Sequence, residues 1–383
     1  MTTKLPLDGL RVIEIGSSVA APYGTLILAE LGAEVIKVER PEVGDDARHW
    51  GPPFWHGSGA YFQALNRNKK SITVDMRNDA ERARLRRLIL ETADVVVQNM
   101  RPGHVEKLGL SADDLLAEKP ELIYCNVGAY GAKGPLKDLP GYDPLMQAFG
   151  GIMSLTGEDG RPPVRVGTSI IDMGTGMWIA IGVITALYRQ RETKTGGRVD
   201  TSLYETALGW MNYRAAGYQA TGELQKREGS GASGIAPYQA YECANGYLVV
   251  AAGGDTLFVK LAEALGHPEW VDDPRFESNP KRVQNKAALN AELGAILGRQ
   301  PRAHWQAVLD AAGVPNAPIQ TMDEVVSHPQ TAALDILQTA PDKDMQLMGL
   351  PVSFDGERPP YRRSPPEIGE DTDAVFGDDT IKE

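Results

Sequence analysis

The sequence predicts an α/β protein with a large Rossmann-like domain on a parallel sheet and a smaller α+β domain. Apolar runs rich in Val and Ile alternate with helical segments across residues 11–127, which is typical of a parallel sheet covered by helices. A chain of 383 residues also exceeds the usual size of a single hydrophobic core. The character then changes at residues 221–234, a polar and Gly-rich stretch that separates two differently patterned regions.

The first strand–helix–strand unit covers residues 11–39. RVIEI (11–15) and EVIKVE (34–39) have strand composition, and residues 22–32 between them have helical character. Pro22 suits the first turn of that helix, and Gly32 suits its C-terminal cap. This unit predicts two neighbouring parallel strands.

The alternation continues with predicted strands over 71–76, 94–99 and 122–127 and predicted helices over 79–93 and 111–119. Lys69 and Lys70, just before the third strand, are expected in a solvated turn. Ligands of such sheets bind at the carboxyl ends of the strands. Arginines follow three of these strands, so we expect an anionic ligand at that edge.

The domain boundaries follow from the same patterns. Residues 1–200 are predicted as the large Rossmann-like domain, 201–224 as a linker, and 225–325 as the small α+β domain. The small domain should contain a hairpin around Asn245-Gly246 and helices over 255–266, 285–299 and 303–313. Residues 326–383, rich in proline, are predicted to return to the large domain as a second linker and its C-terminal part.

Composition excludes several functions. A net charge of −12 argues against a nucleic-acid partner, which requires a basic surface. The charge is uneven, because residues 1–140 carry 18 Lys and Arg against 19 Asp and Glu, and the remainder carries 21 against 32. The N-terminal part is therefore the better candidate for binding an anion.

Neither a metal site nor a membrane segment is predicted. The two cysteines are far apart and the six histidines lack ligand spacing. The N-terminus has no secretory signal, and the apolar run Gly176–Tyr188 is shorter than the about 20 residues that a membrane-spanning helix needs. We therefore expect a cytoplasmic protein without a membrane partner.

One carboxylate stands at the start of the most apolar segment, VGTSIIDMGTGMWIAIGVITALYRQ (166–190). Asp172 has two interpretations. It can be a helix N-cap, which accepts a hydrogen bond from a free backbone amide. It can also be a nucleophile that is accessible to a substrate.

A strand–helix–strand start also suggests a dinucleotide-binding dehydrogenase, with Glu39 on the ribose. The fingerprint of that class requires three glycines in the first turn, whereas GSSVAAP has one. A non-catalytic scaffold is a further alternative, which an acidic surface would suit. The arginines at the strand ends disfavour it.

Several segments together resemble the class III CoA-transferases, the group of formyl-CoA transferase and carnitine CoA-transferase. The resemblance spans the whole chain in order and includes LDGLRVIEIGSSVAAPYGTLILAELGAEVIKVERPEVGDDARHWGPPF, NRNKKSITVDM, ADVVVQNMRPG, YCNVGAYGAKGP and PGYD. GDDARHWGPPF and NRNKKSI are most similar to the branch that moves CoA between succinyl-CoA and dicarboxylates such as glutarate.

The resemblance implies a mechanism and its residues. Asp172 would attack the acyl-CoA thioester and pass through aspartyl anhydride and aspartyl-CoA thioester intermediates, with CoA as co-substrate and no permanent cofactor. The residues implied to bind CoA are Val19, Ala20, Arg40, Val74, Arg77, Asn99, Met100, Arg101 and Lys107. The resemblance implies that Tyr142 lines the substrate pocket. The distal carboxylate of a dicarboxylate would need a cationic or amide-rich subsite, and Arg48, His49 and Trp50 are the candidates for it. Gly231 and Gly234 lie where the family has a glycine-rich loop that shields the intermediate, so this loop is either a lid over the substrate pocket or a plain linker between domains.

The same family includes α-methylacyl-CoA racemases, which are the alternative. Their catalytic histidine lies in a motif similar to GHD, where this chain has Gly141-Tyr142-Asp143. A tyrosine with a pKa of about 10 is a poor base at neutral pH, so CoA transfer is favoured. The family's architecture further implies a homodimer of two interlocked, ring-like subunits.

Overall fold

A computed structural model describes residues 4–377 of the chain. The chain divides into two compact units. The first takes Met1–Ile152, Arg165–Glu223 and Pro329–Glu383, and the second takes Met153–Val164 and Leu224–His328. The sequence patterns do not predict that the short segment Met153–Val164 belongs to the second unit.

The first unit is built on six parallel strands, which confirms the predicted parallel sheet. The strands are β1 Arg11–Ile15, β2 Glu34–Glu39, β3 Lys69–Thr73, β4 Val95–Gln98, β5 Ile123–Gly128 and β6 Gly197–Ser202. Their spatial order is β3-β2-β1-β4-β5-β6. This order places β1 and β4 side by side at the point where the winding of the chain reverses.

Helices cover both faces of this sheet, so neighbouring residues of a strand enter different cores. Val12 packs on the face covered by helices Ala20–Glu30 and Ile170–Thr193. Ile13 packs on the opposite face, with Leu85 of helix Asp79–Thr92. Burial on both faces explains why these strands are apolar runs without alternation.

Helices also occupy the predicted linker. The sequence prediction of a linker over 201–224 is wrong, because these residues complete β6 and form two helices, Leu203–Trp210 and Asn212–Thr221. The apolar side chains of Leu203 and Ala207 are buried, which stabilises helical structure here. The remaining helices of the first unit are Asp46–His49, Ala60–Leu65, His104–Lys107, Ala112–Glu118, Asp143–Phe149, Pro329–Ala333 and Thr372–Phe376.

Two short antiparallel pairs complete the strands of the first unit. Phe54–Trp55 pairs with Ser58–Gly59, and Leu337–Thr339 pairs with Gln346–Met348.

Helix Ile170–Thr193 is long and apolar enough to span a membrane by length and composition, the one such helix among the described residues. Core helices of water-soluble domains meet the same criterion. Here Ile179, Ala180 and Val183 pack into the core beside helix Ala20–Glu30. The packing therefore accounts for the apolar character of this helix on the side that faces the sheet.

The second unit is a three-stranded antiparallel sheet with helices. β7 Tyr238–Cys243 and β8 Gly246–Ala251 form the predicted hairpin, which turns at Ala244 and Asn245, and β9 Asn316–Pro318 pairs with β8. The helices of this unit are Asp255–Ala264, Pro268–Val271, Asn279–Gln284, Lys286–Leu297, Arg302–Ala311 and Met322–Ser327. The short helix Ile152–Leu155 also belongs here, apart from Ile152, which ends the first segment of the first unit. Its core contains Leu248, Phe258 and Leu293.

Candidate active site

A cavity of about 760 Å³ opens at the carboxyl ends of strands β1 to β5. The described residues that line it all belong to the first unit. It lies beside β1 and β4, where the strand order reverses, which is the position at which open α/β sheets bind ligands. Its size is within the range of small-molecule sites.

Two helices begin at the wall of this cavity. Val19 is the N-cap residue of helix Ala20–Glu30, and Ser169 is the N-cap residue of helix Ile170–Thr193. Neither residue caps its helix with a side-chain hydrogen bond. The backbone amide of Ala20 has no acceptor within residues 4–377. Free amides in a first helical turn carry partial positive charge and favour an anion in the cavity.

The helix that carries Asp172 is capped by a carboxylate from elsewhere in the chain. Asp143, at the start of helix Asp143–Phe149, accepts hydrogen bonds from the backbone amides of Ile171 at 2.7 Å and Asp172 at 3.2 Å. Gln147 donates its side-chain amide to the other Asp143 oxygen at 2.6 Å. Asp143 therefore takes the role that the N-cap interpretation gave to Asp172.

The side chain of Asp172 lines the cavity. No hydrogen bond or ion pair to its carboxylate is formed by the described part of the chain. Burial in the first place, and the nearby Asp143 in the second, raise the pKa of Asp172 to about 7. The group therefore titrates near neutral pH, and its ionised form is a carboxylate without a partner among the described residues.

Close helix packing places Asp172 at the cavity. Gly176, one turn after Asp172, faces Gly24 of helix Ala20–Glu30. A Cβ atom on Gly176 would lie 2.9 Å from the amide nitrogen of Gly24, and one on Gly24 would lie 2.8 Å from the side chain of Ile179. Glycine at both positions lets the two backbones approach and brings both helix starts to the same cavity.

Most of the predicted CoA-binding residues line the cavity. These are Val19, Ala20, Arg40, Val74, Asn99, Met100 and Arg101. Arg77 and Lys107 are not among the described residues that line it. The Arg77 side chain is 91% exposed and its guanidinium bonds to Asp75 at 2.9 Å. Lys107 is exposed on the short helix His104–Lys107.

The two arginines of the cavity differ in their partners. Arg40 donates to the carbonyl of Gly44 at 3.0 Å and pairs with Asp46. Arg101 is exposed at the cavity, and the structure gives its guanidinium no partner among residues 4–377. Of these two cations, Arg101 is the more available to a phosphate.

The residues predicted for the substrate pocket lie in different places. Tyr142 lines the cavity and is 58% exposed. Arg48 is buried instead, with its guanidinium bonded to both carboxylate oxygens of Glu39 at 2.8 and 2.6 Å and placed over the Phe62 ring. It is not among the described lining residues. Gly231 and Gly234 belong to the second unit.

Sequence reasoning missed further residues of the cavity wall, among them Asp45, Asp46, Tyr61 and His104. His104 follows the end of β4 closely, so the strand-end rule was a signal that could have found it. Tyr61 comes from helix Ala60–Leu65, outside the strand–helix alternation, and packs edge-on against Trp50 with ring centroids 6.0 Å apart. No local pattern indicates that position.

Comparison with known proteins connects this geometry to one family. The model of CoA-transferase family III matches residues 7–372. The chain is 37% identical to an acetyl-CoA:oxalate CoA-transferase of Acetobacter aceti over 94% of its length and 92% of the relative. It is 36% identical to a mouse succinyl-CoA:glutarate CoA-transferase over 85% of its length and 74% of the relative. A crystal structure of a CAIB/BAIF family protein from Brucella suis is 39% identical, with a TM-score of 0.90 and coverage of 97% and 99%.

Proposed function

Because the chain belongs to CoA-transferase family III, and so transfers CoA between an acyl-CoA and an acid, we propose that Asp172 carries CoA between the two acids. One observation supports this more than any other. The Asp172 carboxylate lines the cavity without a partner among the described residues, while Asp143 caps its helix.

The reaction balances with Asp172 alone as the covalent group. An oxygen of its carboxylate attacks the thioester carbonyl of succinyl-CoA, the carbon–sulfur bond breaks, and CoA leaves as a thiolate from an aspartyl–succinyl anhydride. The thiolate then attacks the Asp172 carbonyl of that anhydride. Succinate leaves, and an aspartyl-CoA thioester remains.

The second half repeats these steps in reverse. A carboxylate oxygen of the acceptor attacks the aspartyl-CoA carbonyl, the carbon–sulfur bond breaks, and the thiolate leaves from a new anhydride between Asp172 and the acceptor. The thiolate attacks the acceptor's carbonyl in this anhydride and frees the Asp172 carboxylate. No net proton is consumed, so the nucleophile needs no separate base once it is ionised.

The surroundings of Asp172 suit both the charge and the intermediates. Each attack places negative charge on a carbonyl oxygen, which free amides at a helix start, such as that of Ala20, can stabilise. Both intermediates react with water. The apolar cluster of Ala20, Met146, Ile171 and Leu203 beside Asp172 favours the exclusion of water.

We infer a dicarboxylate acceptor and succinyl-CoA as donor from the relatives. The Acetobacter protein is named for oxalate as the acid. The mouse protein is named for succinyl-CoA and glutarate. Oxalate, succinate and glutarate are all dicarboxylates. The described cavity lining contains the cations Arg40 and Arg101, which suit the phosphates of CoA. Arg48 is no longer proposed as the group that binds the distal carboxylate, since Glu39 occupies its guanidinium.

An exposed apolar face supports the proposal of a homodimer. On the outer side of helix Ile170–Thr193, the large side chains Met177, Trp178, Ile181, Ile184 and Tyr188 are exposed. An apolar surface of this kind on a helix marks an interaction site. We expect sedimentation of the wild type as a dimer and a shift toward monomer in Ile181→Asp. The interlocked arrangement, the lid formed by Gly231 and Gly234, and the cytoplasmic location stay predictions.

The test of the covalent role is mass spectrometry after incubation with succinyl-CoA, with hydroxylamine or borohydride trapping. We expect modification of the peptide that carries Asp172 in the wild type and none in Asp172→Asn, with CoA transfer lost in that variant. Transfer that persists in folded Asp172→Asn would contradict the proposal. Exchange of an α-deuterium into a 2-methylacyl-CoA, without modification, would instead support the racemase alternative.

A further inference from the structure

The turn Gly16–Ser18 between β1 and helix Ala20–Glu30 forms part of the cavity wall. Ser18 has a φ of 71°, in the left-handed region that residues other than glycine rarely adopt. Such a conformation persists where the surrounding structure holds it. Here three side chains from distant parts of the chain bond to the backbone of the turn.

Lys37 holds the first residue of the turn. Its ammonium group is fully buried and donates to the carbonyl of Gly16 at 2.9 Å. The same group pairs with Glu14 at 2.6 Å and Asp45 at 2.7 Å. Two of its donors are hydrogen-bonded, to Glu14 and to Gly16, and the ion pair with Asp45 further fixes the direction of the ammonium group.

Asp45 holds the last residue of the turn. One of its oxygens accepts from the backbone amides of Ser18 at 3.0 Å and Ala47 at 2.9 Å, while the other pairs with Lys37. The carboxylate is buried. It therefore joins the strained residue directly to the lysine that holds Gly16.

Asn99, after β4, holds the middle of the turn. Its side-chain oxygen accepts from the amide of Ser17 at 3.0 Å, and its side-chain nitrogen donates to the carbonyl of Ser17 at 2.9 Å. Both polar ends of the amide are used. Backbone groups of all three turn residues are therefore anchored.

The turn leads directly into the part of the cavity wall that contacts the helix of Asp172. Val19 and Ala20 follow Ser18, and Gly176 lies against the Ala20 carbonyl, which is 3.0 Å from the place of a Cβ on that glycine. A shift of the turn would move the amides of this helix start relative to Asp172. Misplacement by about 1 Å can lower a catalysed rate by about 100-fold.

We propose that Lys37 and Asp45 are positioning residues for CoA transfer, because they hold the Gly16–Ser18 turn and with it the cavity wall beside Asp172. This proposal rests on the proposed role of Asp172. It assigns a function to two buried charges, of which Asp45 also lines the cavity and Lys37 does not. It also predicts that the hydrogen bond to Ser18 matters more than the charge of Asp45.

The test compares Asp45→Ala with Asp45→Asn. Asparagine keeps an oxygen for the Ser18 amide, whereas alanine does not. We expect Asp45→Ala to lower kcat and the single-turnover rate of Asp172 modification about 10- to 100-fold, with the Kd for CoA within about twofold of wild type. Asp45→Asn should recover most of that rate.

Glu14→Gln is the control for general loss of stability. It removes a charge that pairs with Lys37 and Lys69 and leaves the bonds to the turn in place. We expect a lower Tm with a near wild-type kcat at a temperature where the variant is folded. If Asp45→Ala does not fold, Asn99→Ala releases Ser17 at a half-buried position and should give the same loss in the single-turnover rate at saturating succinyl-CoA, a condition that separates the effect on the turn from any contact of Asn99 with CoA.

A folded Asp45→Ala with wild-type kcat would overturn the proposal, and so would an equal loss in Asp45→Asn. A different result would show that the proposed covalent role of Asp172 is wrong. In that case the wild type transfers CoA without modification of Asp172. The comparison of kcat between the two Asp45 variants still decides the positioning role, because it does not depend on the trapped adduct.

Discussion

The carboxylate of Asp143 accepts a hydrogen bond from the backbone amide of Asp172 at 3.2 Å, across 29 positions of the sequence. This contact gives Asp143 two roles. It accepts from two backbone amides at the start of helix Ile170–Thr193, so the Asp172 side chain is not needed as a cap there. It also places a second negative charge beside Asp172 and thereby contributes to its raised pKa.

The raised pKa predicts how activity depends on pH. Only the ionised form of Asp172 can attack, and its pKa is about 7. We expect kcat/KM to fall about tenfold per pH unit well below pH 7 and to level off above it. Steady-state rates between pH 5 and 9 test this. A flat profile across pH 7 would contradict the assignment of Asp172 as the titrating group.

Asp143→Asn should move this profile to lower pH. The substitution removes the like charge beside Asp172 and keeps an oxygen that can accept from the amides of Ile171 and Asp172. Burial, the larger cause, remains, so the pKa of Asp172 should fall only part of the way to its ordinary value. Asp143→Ala is the matched control, since it also removes the cap. An unchanged midpoint in Asp143→Asn would show that Asp143 does not act electrostatically.

The patterns of the sequence predicted those parts that depend on local chemistry. Apolar runs between helices predicted β1 to β5, and the isolated carboxylate in an apolar segment drew attention to Asp172, which lines the cavity. Partners distant in sequence were not predictable. Lys69, expected in a solvated turn, is fully buried because Glu14 of β1 lies within 2.9 Å of its ammonium group. No run of residues around Lys69 indicates that partner.

The crossing of the two helices at the cavity predicts a steric effect. In Gly176→Ala the new Cβ would lie 2.9 Å from a backbone nitrogen and 2.8 Å from the Tyr23 ring, so the helices must separate. We expect a loss of about 1–3 kcal/mol in the free energy of unfolding, together with lower kcat. Urea unfolding measures the first quantity.

Gly209→Ala is the control for this effect. Gly209 is also helical, in Leu203–Trp210, but a Cβ there meets no atom within 4 Å from other parts of the described chain. Alanine should therefore stabilise the helix by about 0.5–1 kcal/mol. If both substitutions gave the same change in stability, the close approach of the helices would not be the cause.

Arg48 predicts a loss of stability rather than a change of substrate. Its ion pair with Glu39 is buried, and removal of one partner of such a pair costs about 3–5 kcal/mol. Arg48→Met should therefore lower the free energy of unfolding by an amount in this range. The ratio of kcat/KM for glutarate to that for acetate should stay within about twofold of wild type in the folded fraction. A selective loss for glutarate would restore Arg48 as a group that recognises the substrate.

A comparison of Arg101 with Arg77 distinguishes CoA binding at the cavity from a general effect of surface charge on CoA binding. Both are exposed arginines of the first unit, but only Arg101 lines the cavity among the described residues. The guanidinium of Arg77 is already bonded to Asp75. We expect Arg101→Ala to weaken CoA binding about 10-fold, because a charge-assisted bond to phosphate is lost, and to reduce the dependence of Kd on salt. Arg77→Ala should leave Kd within about twofold. Titration calorimetry with CoA at two salt concentrations measures the Kd and its dependence on salt. An equal loss of affinity in the two variants would show that CoA responds to the general charge of this edge of the sheet and not to the arginine at the cavity.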